Sequence, residues 1–346
     1  MWQNVLAAMK QSTNQKLCYT EKAKNSNSPV EYFTKNIYFW LVVFLFLSFT
    51  QTTSIEAQTS TDSASYKQGL EYLKRQDYAA AARSFQLALQ SAPDDDLARR
   101  GLAIALVGAE KFPEASREIA KSLALAPKDA KLLELAAHCF WQQKRFAETE
   151  TVLQRRLKLG DERAELWSLY GDALDVQKKT IQAVTAYENA VRLAPDSIIL
   201  RYALGAFYWK LIRYDDAERE FLKVLSLQPN EPRASFNLGD IYLTQGDAAK
   251  SLPFLETAAK AFPNEFDTRF ALGRAFLATN KPESALVEMQ AAVKLKPDIA
   301  EGHFHLARAL QRAGRRDEAK TEMQKAQSLQ NAQRAKEQIK LPAKSQ

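Results

Sequence analysis

The sequence predicts an all-α solenoid of about eight helix-turn-helix repeats, because two columns of residues recur with one period. Prolines recur at intervals of 34 positions or of twice that number: Pro93, Pro127, Pro195, Pro229, Pro263 and Pro297. A second column holds only glycine or alanine: Gly69, Ala103, Ala137, Gly171, Gly205, Gly239, Gly273 and Ala307. Self-similarity at a fixed period of about 20 to 50 residues is typical of repeat architectures. The two columns therefore predict a repeat domain over residues 62–331.

Composition excludes several other classes of protein. The chain has 346 residues, of which 46% are hydrophobic, so it contains enough apolar material for a folded core. Two cysteines and three histidines are too few for a disulfide scaffold or a zinc ribbon. There is no glycine-rich phosphate loop, no H-E-x-x-H and no G-x-S-x-G motif. We therefore expect a protein that is not an enzyme, with no catalytic residue, no cofactor and no metal.

Residues 1–57 have the layout of a secretory signal peptide. A polar segment with five lysines precedes a mostly apolar run at 37–50, and Ala57 follows a few positions later. A stable transmembrane helix needs roughly 20 apolar residues, and this run is shorter. An uncleaved membrane anchor remains the alternative. If the leader is cleaved, Cys18 is lost, and the remaining Cys139 is expected to be a buried, unreactive thiol.

Each repeat is predicted to contain two amphipathic helices joined by a short polar turn, since its apolar residues recur at helical spacing. Small residues would let the two backbones approach closely. A second small column on the second helix supports this packing: Ala81, Ala115, Thr149, Ala183, Ala217, Ser251, Ala285 and Ala319. Asp77 and Asp247 are expected to cap helices, and Pro113 and Pro282 suit the first turn of a helix.

These columns resemble the tetratricopeptide repeat, and the fourth repeat shows the pattern best. Its matching residues are Trp167, Tyr170, Gly171, Ala183, Tyr187, Ala190 and Pro195. The third repeat departs most, with Thr149, Arg156 and Asp161 where alanine, alanine and proline are expected. The resemblance implies a right-handed superhelix whose concave groove binds a segment of a partner protein.

Residues 332–346 are predicted to form a capping helix and a tail. Ala332, Ala335 and Ile339 keep helical spacing in an otherwise polar segment. We expect this helix to cover the exposed face of the eighth repeat.

By the same resemblance, one stripe on the first helices lines the groove. We select from it ten candidate partner-binding residues: Tyr66, Trp141, Tyr202, Trp209, Phe236, Phe270, Arg274, Phe304, Arg308 and Arg312. The aromatic members are either a docking surface for a peptide or ordinary packing between successive first helices. The Lys and Asn pair with which some family members hold a terminal carboxylate is absent, because the equivalent pairs are Tyr66/Leu70, Arg100/Ile104 and Glu134/His138.

Two further groups of titratable residues are interpreted without a chemical role. His303 and His305 are two positions apart, so on a helix they point in different directions and suit packing better than metal binding. Asp172 and Asp175 share one helical face, and we expect both to be surface charges.

The charge balance points to an acidic partner at the C-terminal end of the groove. The chain has a formal net charge of +7, and residues 300–346 carry ten basic against five acidic side chains. Nucleic acid is a poor partner, since Asp172, Asp175 and Asp240 would repel phosphates along the groove. The alternative is a solvated basic cap that only aids solubility.

These observations together predict a non-enzymatic scaffold that acts outside the cytoplasm, in the periplasm or as a secreted protein. Its groove would hold an extended segment or a helix of a partner. The alternative is a membrane-anchored accessory protein of assembly or secretion that keeps residues 37–50 and so contacts a membrane.

Overall fold

The computed structural model describes residues 63–160 and 163–340, with the side chains of 336–340 left out. These residues form sixteen α-helices and no strand. The helices are α1 Ala64–Lys74, α2 Tyr78–Ser91, α3 Asp96–Gly108, α4 Phe112–Leu125, α5 Ala130–Gln142, α6 Phe146–Leu157, α7 Ala164–Val176, α8 Thr180–Leu193, α9 Ile198–Lys210, α10 Tyr214–Leu227, α11 Pro232–Thr244, α12 Ala248–Ala261, α13 Phe266–Ala278, α14 Pro282–Leu295, α15 Ala300–Arg312 and α16 Arg316–Lys340. The predicted all-α architecture of eight helix-turn-helix repeats is confirmed.

The helices divide into two compact parts, one ending at Leu193 and one beginning at Ala194. Each part holds four repeats, and within each part every helix packs on the next one along the chain. First helices of consecutive repeats also touch directly, α1 with α3 in the N-terminal part, and α9, α11, α13 and α15 in succession in the C-terminal part. Each part therefore stacks its repeats in order. The right-handed sense of the superhelix stays a prediction.

The periodic prolines mark the ends of second helices. Pro93 lies two positions after the end of α2, and Pro127, Pro195, Pro229, Pro263 and Pro297 hold the same place after α4, α8, α10, α12 and α14. Proline has no amide hydrogen to donate and disfavours helix in the residue before it. The predicted starts are also found, since Asp77 and Asp247 accept hydrogen bonds from backbone amides of α2 and α12.

The turn inside each repeat has one repeated geometry. In the first repeat, the amide of Asp77 donates to the carbonyl of Tyr72 and that of Gln76 to Leu73. This pattern of bonds closes a helix through one residue in the left-handed region. That residue recurs every 34 positions, with φ between 58° and 90°: Gln76, Glu110, Lys144, Lys178, Ile212, Gly246, Asn280 and Gly314. Only two of the eight are glycine.

The small column brings the two helices of a repeat together. A Cβ atom built on Gly205 would lie 2.8 Å from Cε1 of Phe221, and one on Gly239 would lie 2.5 Å from Cγ of Leu255. Such distances are shorter than a normal contact, so a larger residue at either position would force the facing side chain to move. The second small column is buried throughout, as predicted: seven of its members have 0% exposure and Ala319 has 9%.

An ion pair ties the first helix to the second in several repeats. Arg201 Nη1 lies 2.6 Å from Glu220 Oε2, and its guanidinium also donates to the carbonyl of Pro195 before the helix. The ion pairs at the same positions of other repeats are Arg99–Glu118 and Arg269–Glu288, and in the eighth repeat His303 and Glu322 are hydrogen-bonded. In the remaining repeats both positions are small or apolar, as in Leu133 and Val152, so the two members change together.

The irregular third repeat buries a charged side chain at a position where the other repeats of this chain have a small residue. Arg156 is 9% exposed, and its Nε lies 2.7 Å from Oε1 of Glu134, which is 8% exposed. The guanidinium of Arg163 donates to the same oxygen. Two hydrogen bonds to one carboxylate offset the cost of burying it. Glu134 therefore compensates for the exceptional arginine.

The C-terminal segment differs from the expected separate capping helix. Residues 332–340 continue α16, which runs unbroken for 25 residues from Arg316 to Lys340. Met323 of this helix is 38% exposed, whereas its equivalent Met289 in the seventh repeat has 0% exposure. No described residue breaks α16 as a glycine or proline would, so the helix does not fold back over Met323.

The predicted leader, residues 1–57, and the tail after Lys340 lie outside the described residues. Within the described ranges, none of the helices combines the length and the apolar character that a membrane span requires.

Candidate functional site on the first-helix face

The candidate site lies on the face that the first helices α9, α11, α13 and α15 present together, which we call the first-helix face. Three side-chain contacts join neighbouring helices of this face, and α11 and α13 also touch. Nδ2 of Asn237 donates to the hydroxyl of Tyr202 at 3.2 Å, and the rings of Phe270 and His305 have centroids 5.2 Å apart. The guanidinium of Arg312 donates to the carbonyl of Leu277. Each contact joins one repeat to the next.

Two of the ten candidate residues belong to the core. Tyr66 is 7% exposed and meets Phe85 edge-on, with ring centroids 5.7 Å apart. Phe270 is 8% exposed and stacks on Phe266 at 5.3 Å. Tyr66 and Phe270 are therefore packing residues of the core and not part of a docking surface.

Three aromatic candidates are half-buried. Trp141, in the N-terminal part, meets Phe146 edge-on with centroids 5.2 Å apart. Tyr202 packs on Phe221 at 5.6 Å, and Phe236 packs against the core around α12. Each of them is therefore only partly accessible to a partner.

Two aromatic candidates are exposed, and both lie in the C-terminal part. Trp209 at the end of α9 and Phe304 in α15 are each 41% exposed. Large apolar side chains at this exposure are available for contact with a partner. Both therefore fit the docking interpretation.

The three candidate arginines lie among these aromatic residues. The guanidinium carbon of Arg274 is 5.9 Å from the ring centroid of Phe270, and that of Arg308 is 5.9 Å from the centroid of Phe304. The two distances agree because each arginine follows its phenylalanine by one helical turn. With Arg312 fixed on the Leu277 carbonyl, the structure places all three cations on the first-helix face.

His305 lies between two of these arginines. Its ring meets Phe270 and Phe304 edge-on, with centroids 5.2 and 5.4 Å away. Burial lowers the pKa of His305 to about 4, and the positive charges of Arg308 and Arg274 contribute to the lowering. The imidazole is therefore neutral at pH 7 and adds no charge to this face.

Asp240 is the acidic member of the face. Burial raises its pKa above the usual range, against the positive charge of Arg274 and a hydrogen bond from Trp209. Asp240, Arg274 and Arg308 occupy one position in three consecutive repeats, at intervals of 34 positions in the sequence. The helical spacing of the sequence already places the three residues in one column, but the order of their charges was not interpreted from it.

The predicted surface pair of Asp172 and Asp175 is wrong for Asp172. Asp172 is 4% exposed and accepts a hydrogen bond from the hydroxyl of Tyr187. Burial raises its pKa to about 7, although the Tyr187 hydrogen bond lowers it. His138, at the position equivalent to Asp172 one repeat earlier, is also buried. This burial lowers the pKa of His138 to about 4. At these two positions of the N-terminal part the column is therefore packed inside.

The remaining titratable candidates have structural partners. His303 is 5% exposed, and its two ring nitrogens lie 2.5 Å from Glu322 Oε2 and 2.9 Å from the carbonyl of Pro297. Cys139 is buried, which raises its pKa to about 12. The described residues bring together no group of three or more His, Cys, Asp or Glu that could hold a metal ion.

Models of the tetratricopeptide repeat match residues 72–135, 171–224, 202–266, 242–303 and 300–325. These matches agree with the repeated helix pairs, and the chain belongs to the tetratricopeptide repeat family, whose members form protein-interaction scaffolds.

Several solved structures are similar to this chain. MamA from Desulfovibrio magneticus RS-1 (residues 41 to the end) is 26% identical with a TM-score of 0.47, over 50% of this chain and 98% of MamA. YrrB, described as a tetratricopeptide repeat protein with an unusual peptide-binding site, is 20% identical with a TM-score of 0.47, over 54% of this chain and 97% of YrrB. A comparison with curated proteins found no match.

Proposed function

We propose that this protein is a non-enzymatic scaffold that acts outside the cytoplasm and binds an acidic segment of a partner protein on the first-helix face. The observation that carries the proposal is the exposure of Phe304 beside Arg308, on a face that also holds Arg274, Arg312 and the exposed Trp209. The role is binding because repeats account for the described chain from Ala64 to the end of α16.

The chemistry of these side chains suits a carboxylate-bearing, aromatic-bearing peptide. Arginine guanidinium groups make charge-assisted hydrogen bonds to carboxylates. Exposed aromatic rings supply apolar contact and attract cations and other rings. The basic excess of residues 300–346 would add long-range attraction for an acidic partner.

Nucleic acid fits this face less well than an acidic protein. Asp240 lies in the same row as Arg274 and Arg308, and a phosphate backbone carries one charge per nucleotide with no place for a facing carboxylate. The contribution that Asp172 was expected to make to this argument is lost, because its carboxyl is buried.

A pull-down from envelope extract, followed by identification of the retained protein, tests the binding role. Retention should fall as salt rises, and it should drop in a triple Arg274, Arg308, Arg312→Ala variant. A matched control is Lys260, Lys294, Lys320→Ala, which removes the same charge from the second helices α12, α14 and α16. Equal retention by both triple variants at every salt concentration would mean that the basic C-terminal end only aids solubility.

The site of action is tested by the mass of the mature chain. Loss of residues 1–57 would support export with cleavage. The alternative role, a membrane-anchored accessory of assembly or secretion, rests on the apolar run 37–50 and requires an intact mass together with recovery in the membrane fraction.

A further inference from the structure

The charges of the first-helix face form a row with a fixed order. Asp240 in α11, Arg274 in α13 and Arg308 in α15 follow one another at intervals of 34 positions and so occupy one place in three consecutive repeats. The row consists of one carboxyl group followed by two guanidinium groups, and the His305 ring between the two arginines is neutral at pH 7. A row with this order discriminates between partners by the arrangement of their charges as well as by their total charge.

The repeat architecture fixes the interval between these charges. Packed helices have axes about 8–10 Å apart, and α11, α13 and α15 are in direct contact. Arg274 and Arg308 also hold the same position over the ring that precedes each of them, at 5.9 Å in both cases. Equivalent side chains on neighbouring repeats are therefore separated by about the interaxial distance, on the order of 10 Å.

An extended peptide matches that interval with every third residue. In the polyproline II conformation an extended chain advances about 3.1 Å per residue with three residues per turn, so every third side chain lies on the same face, about 9 Å further on. An α-helix advances about 1.5 Å per residue and would need about seven residues for the same distance. The interval thus distinguishes an extended ligand from a helical one.

Each end of the row has an exposed aromatic residue. Trp209 hydrogen-bonds the Asp240 carboxyl, and Phe304 lies under the Arg308 guanidinium. A basic partner residue at Asp240 would restore favourable interactions to a carboxylate that burial has deprived of water. A partner carboxylate at each arginine would pair with a cation already oriented by its ring.

We infer that the first-helix face binds an extended partner segment in which one basic residue is followed, at intervals of three residues, by two acidic residues. The basic residue contacts Asp240, and the two acids contact Arg274 and Arg308. This inference rests on the proposed binding function and adds the conformation and charge pattern of the ligand.

The test uses fluorescein-labelled synthetic peptides of one composition and the full-length protein, with binding measured by fluorescence anisotropy. One lysine and two glutamates are placed at intervals of two, three, five or seven residues in a serine and alanine background with one phenylalanine, and the three-residue pattern is also made in reversed order. We expect the peptide whose charges are three residues apart, in one of its two directions, to bind at least tenfold more tightly than the peptides with intervals of two, five or seven residues.

Two charge variants assign the contacts. Arg308→Ala should remove the tighter binding of the peptide with the three-residue interval. Lys260→Ala, on a second helix, should leave that tighter binding unchanged. Asp240→Lys should reverse the preference at the first position, so that a peptide with glutamate in place of lysine binds better. Asp298→Lys makes the same charge change in an exposed turn between repeats and should not reverse it.

The outcomes separate the two proposals. Equal binding of all acidic peptides, lost in the triple arginine variant, would leave the proposed function standing and overturn the charge pattern. Best binding at intervals of seven would overturn the extended conformation. If none of the peptides binds at any salt concentration, both the pattern and acidic recognition on this face are wrong.

Discussion

At the scale of single residues, each turn inside a repeat requires one residue in the left-handed region, and in the fifth repeat this residue is Ile212. Its φ is 61°, and its side chain is 72% exposed. The left-handed conformation costs an L-residue roughly 1–2 kcal/mol, and asparagine tolerates it better than a β-branched residue does. We expect Ile212→Asn to raise the free energy of unfolding by about 1 kcal/mol, measured by urea denaturation.

Ile181→Asn is the matched control for this prediction. Ile181 is 76% exposed and lies in the first turn of α8, with helical backbone. The same exchange there relieves no left-handed strain and should not stabilise the protein. A similar gain in both variants would assign the effect to loss of an exposed apolar side chain.

The buried carboxyl of Asp172 should make stability depend on pH. Its pKa is about 7 in the fold against an ordinary value of 3.8, so the folded state binds the extra proton between these limits. Stability contributed by the protonated carboxyl is therefore complete below about pH 4 and declines as pH rises through 7. We expect Asp172→Asn to stabilise the protein at pH 8 by an amount on the order of a few kcal/mol and to change little at pH 4.

Thermal melts of the parent and Asp172→Asn from pH 4 to pH 8 measure this difference. Asp175→Asn is the comparison, because Asp175 is the smallest of the causes that shift the pKa of Asp172. That variant should keep most of the pH dependence. A constant difference between Asp172→Asn and the parent at all pH values would contradict the prediction.

The burial of single side chains could not be predicted from the sequence. Helical spacing placed Asp172 on the stripe with Asp240, and both are on first helices as expected. Spacing does not determine depth, because the neighbour Tyr187 buries Asp172 and supplies its hydrogen bond. The same holds for Tyr66 and Phe270, whose burial depends on side chains from the second helix or an earlier turn.

At the scale of helix pairs, an aromatic residue on the second helix is found only where the small residue on the first helix is glycine. Where the small residue is glycine, the facing side chain is Phe85, Tyr187, Phe221, Leu255 or Met289. Where the sequence has alanine at this position, the equivalents are Ile119, Leu153 and Met323, none of them aromatic. Aromatic partners therefore occur only opposite glycine, whereas leucine and methionine occur opposite both glycine and alanine.

We expect Gly205→Leu to destabilise the protein by about 1–3 kcal/mol or more, since even a Cβ would meet Phe221 at 2.8 Å. Gly205→Ala should cost less, and adding Phe221→Ile should recover part of that loss. Lys210→Leu, on the exposed end of the same helix, is the surface control and should change the melting temperature little. Equal melting temperatures for Gly205→Leu and Lys210→Leu would show that the register is misassigned.

The helix pairs show a second coupling, between two positions whose residues change together. The period of either column alone does not reveal it. Arg201 and Glu220 are replaced together by apolar residues in other repeats, for example by Leu133 and Val152. Such a pair is visible only when two columns are compared with each other. A single column of arginine, leucine, tryptophan and serine shows no pattern by itself.

At the scale of the whole molecule, the regular spacing of the prolines and small residues was sufficient to predict the number of repeats and the order of the helices. It could not predict the course of the C-terminal segment, because the spacing of Ala332 and Ala335 is equally compatible with a new helix and with a longer α16. Nothing local stops α16, since glycine and proline are absent from Arg316 to Lys340.

Repeat proteins draw their stability from each repeat and its neighbours, so removing the last repeats should shorten the fold without abolishing it. We expect a chain that ends at Phe262, after α12, to retain helical circular dichroism in proportion to its remaining helices. Among the described residues the final repeat already lacks a covering helix, since Met323 is 38% exposed. The truncation should melt at a lower temperature because α12 loses its neighbour α13. Complete loss of helical signal would mean that the eight repeats fold only as one unit.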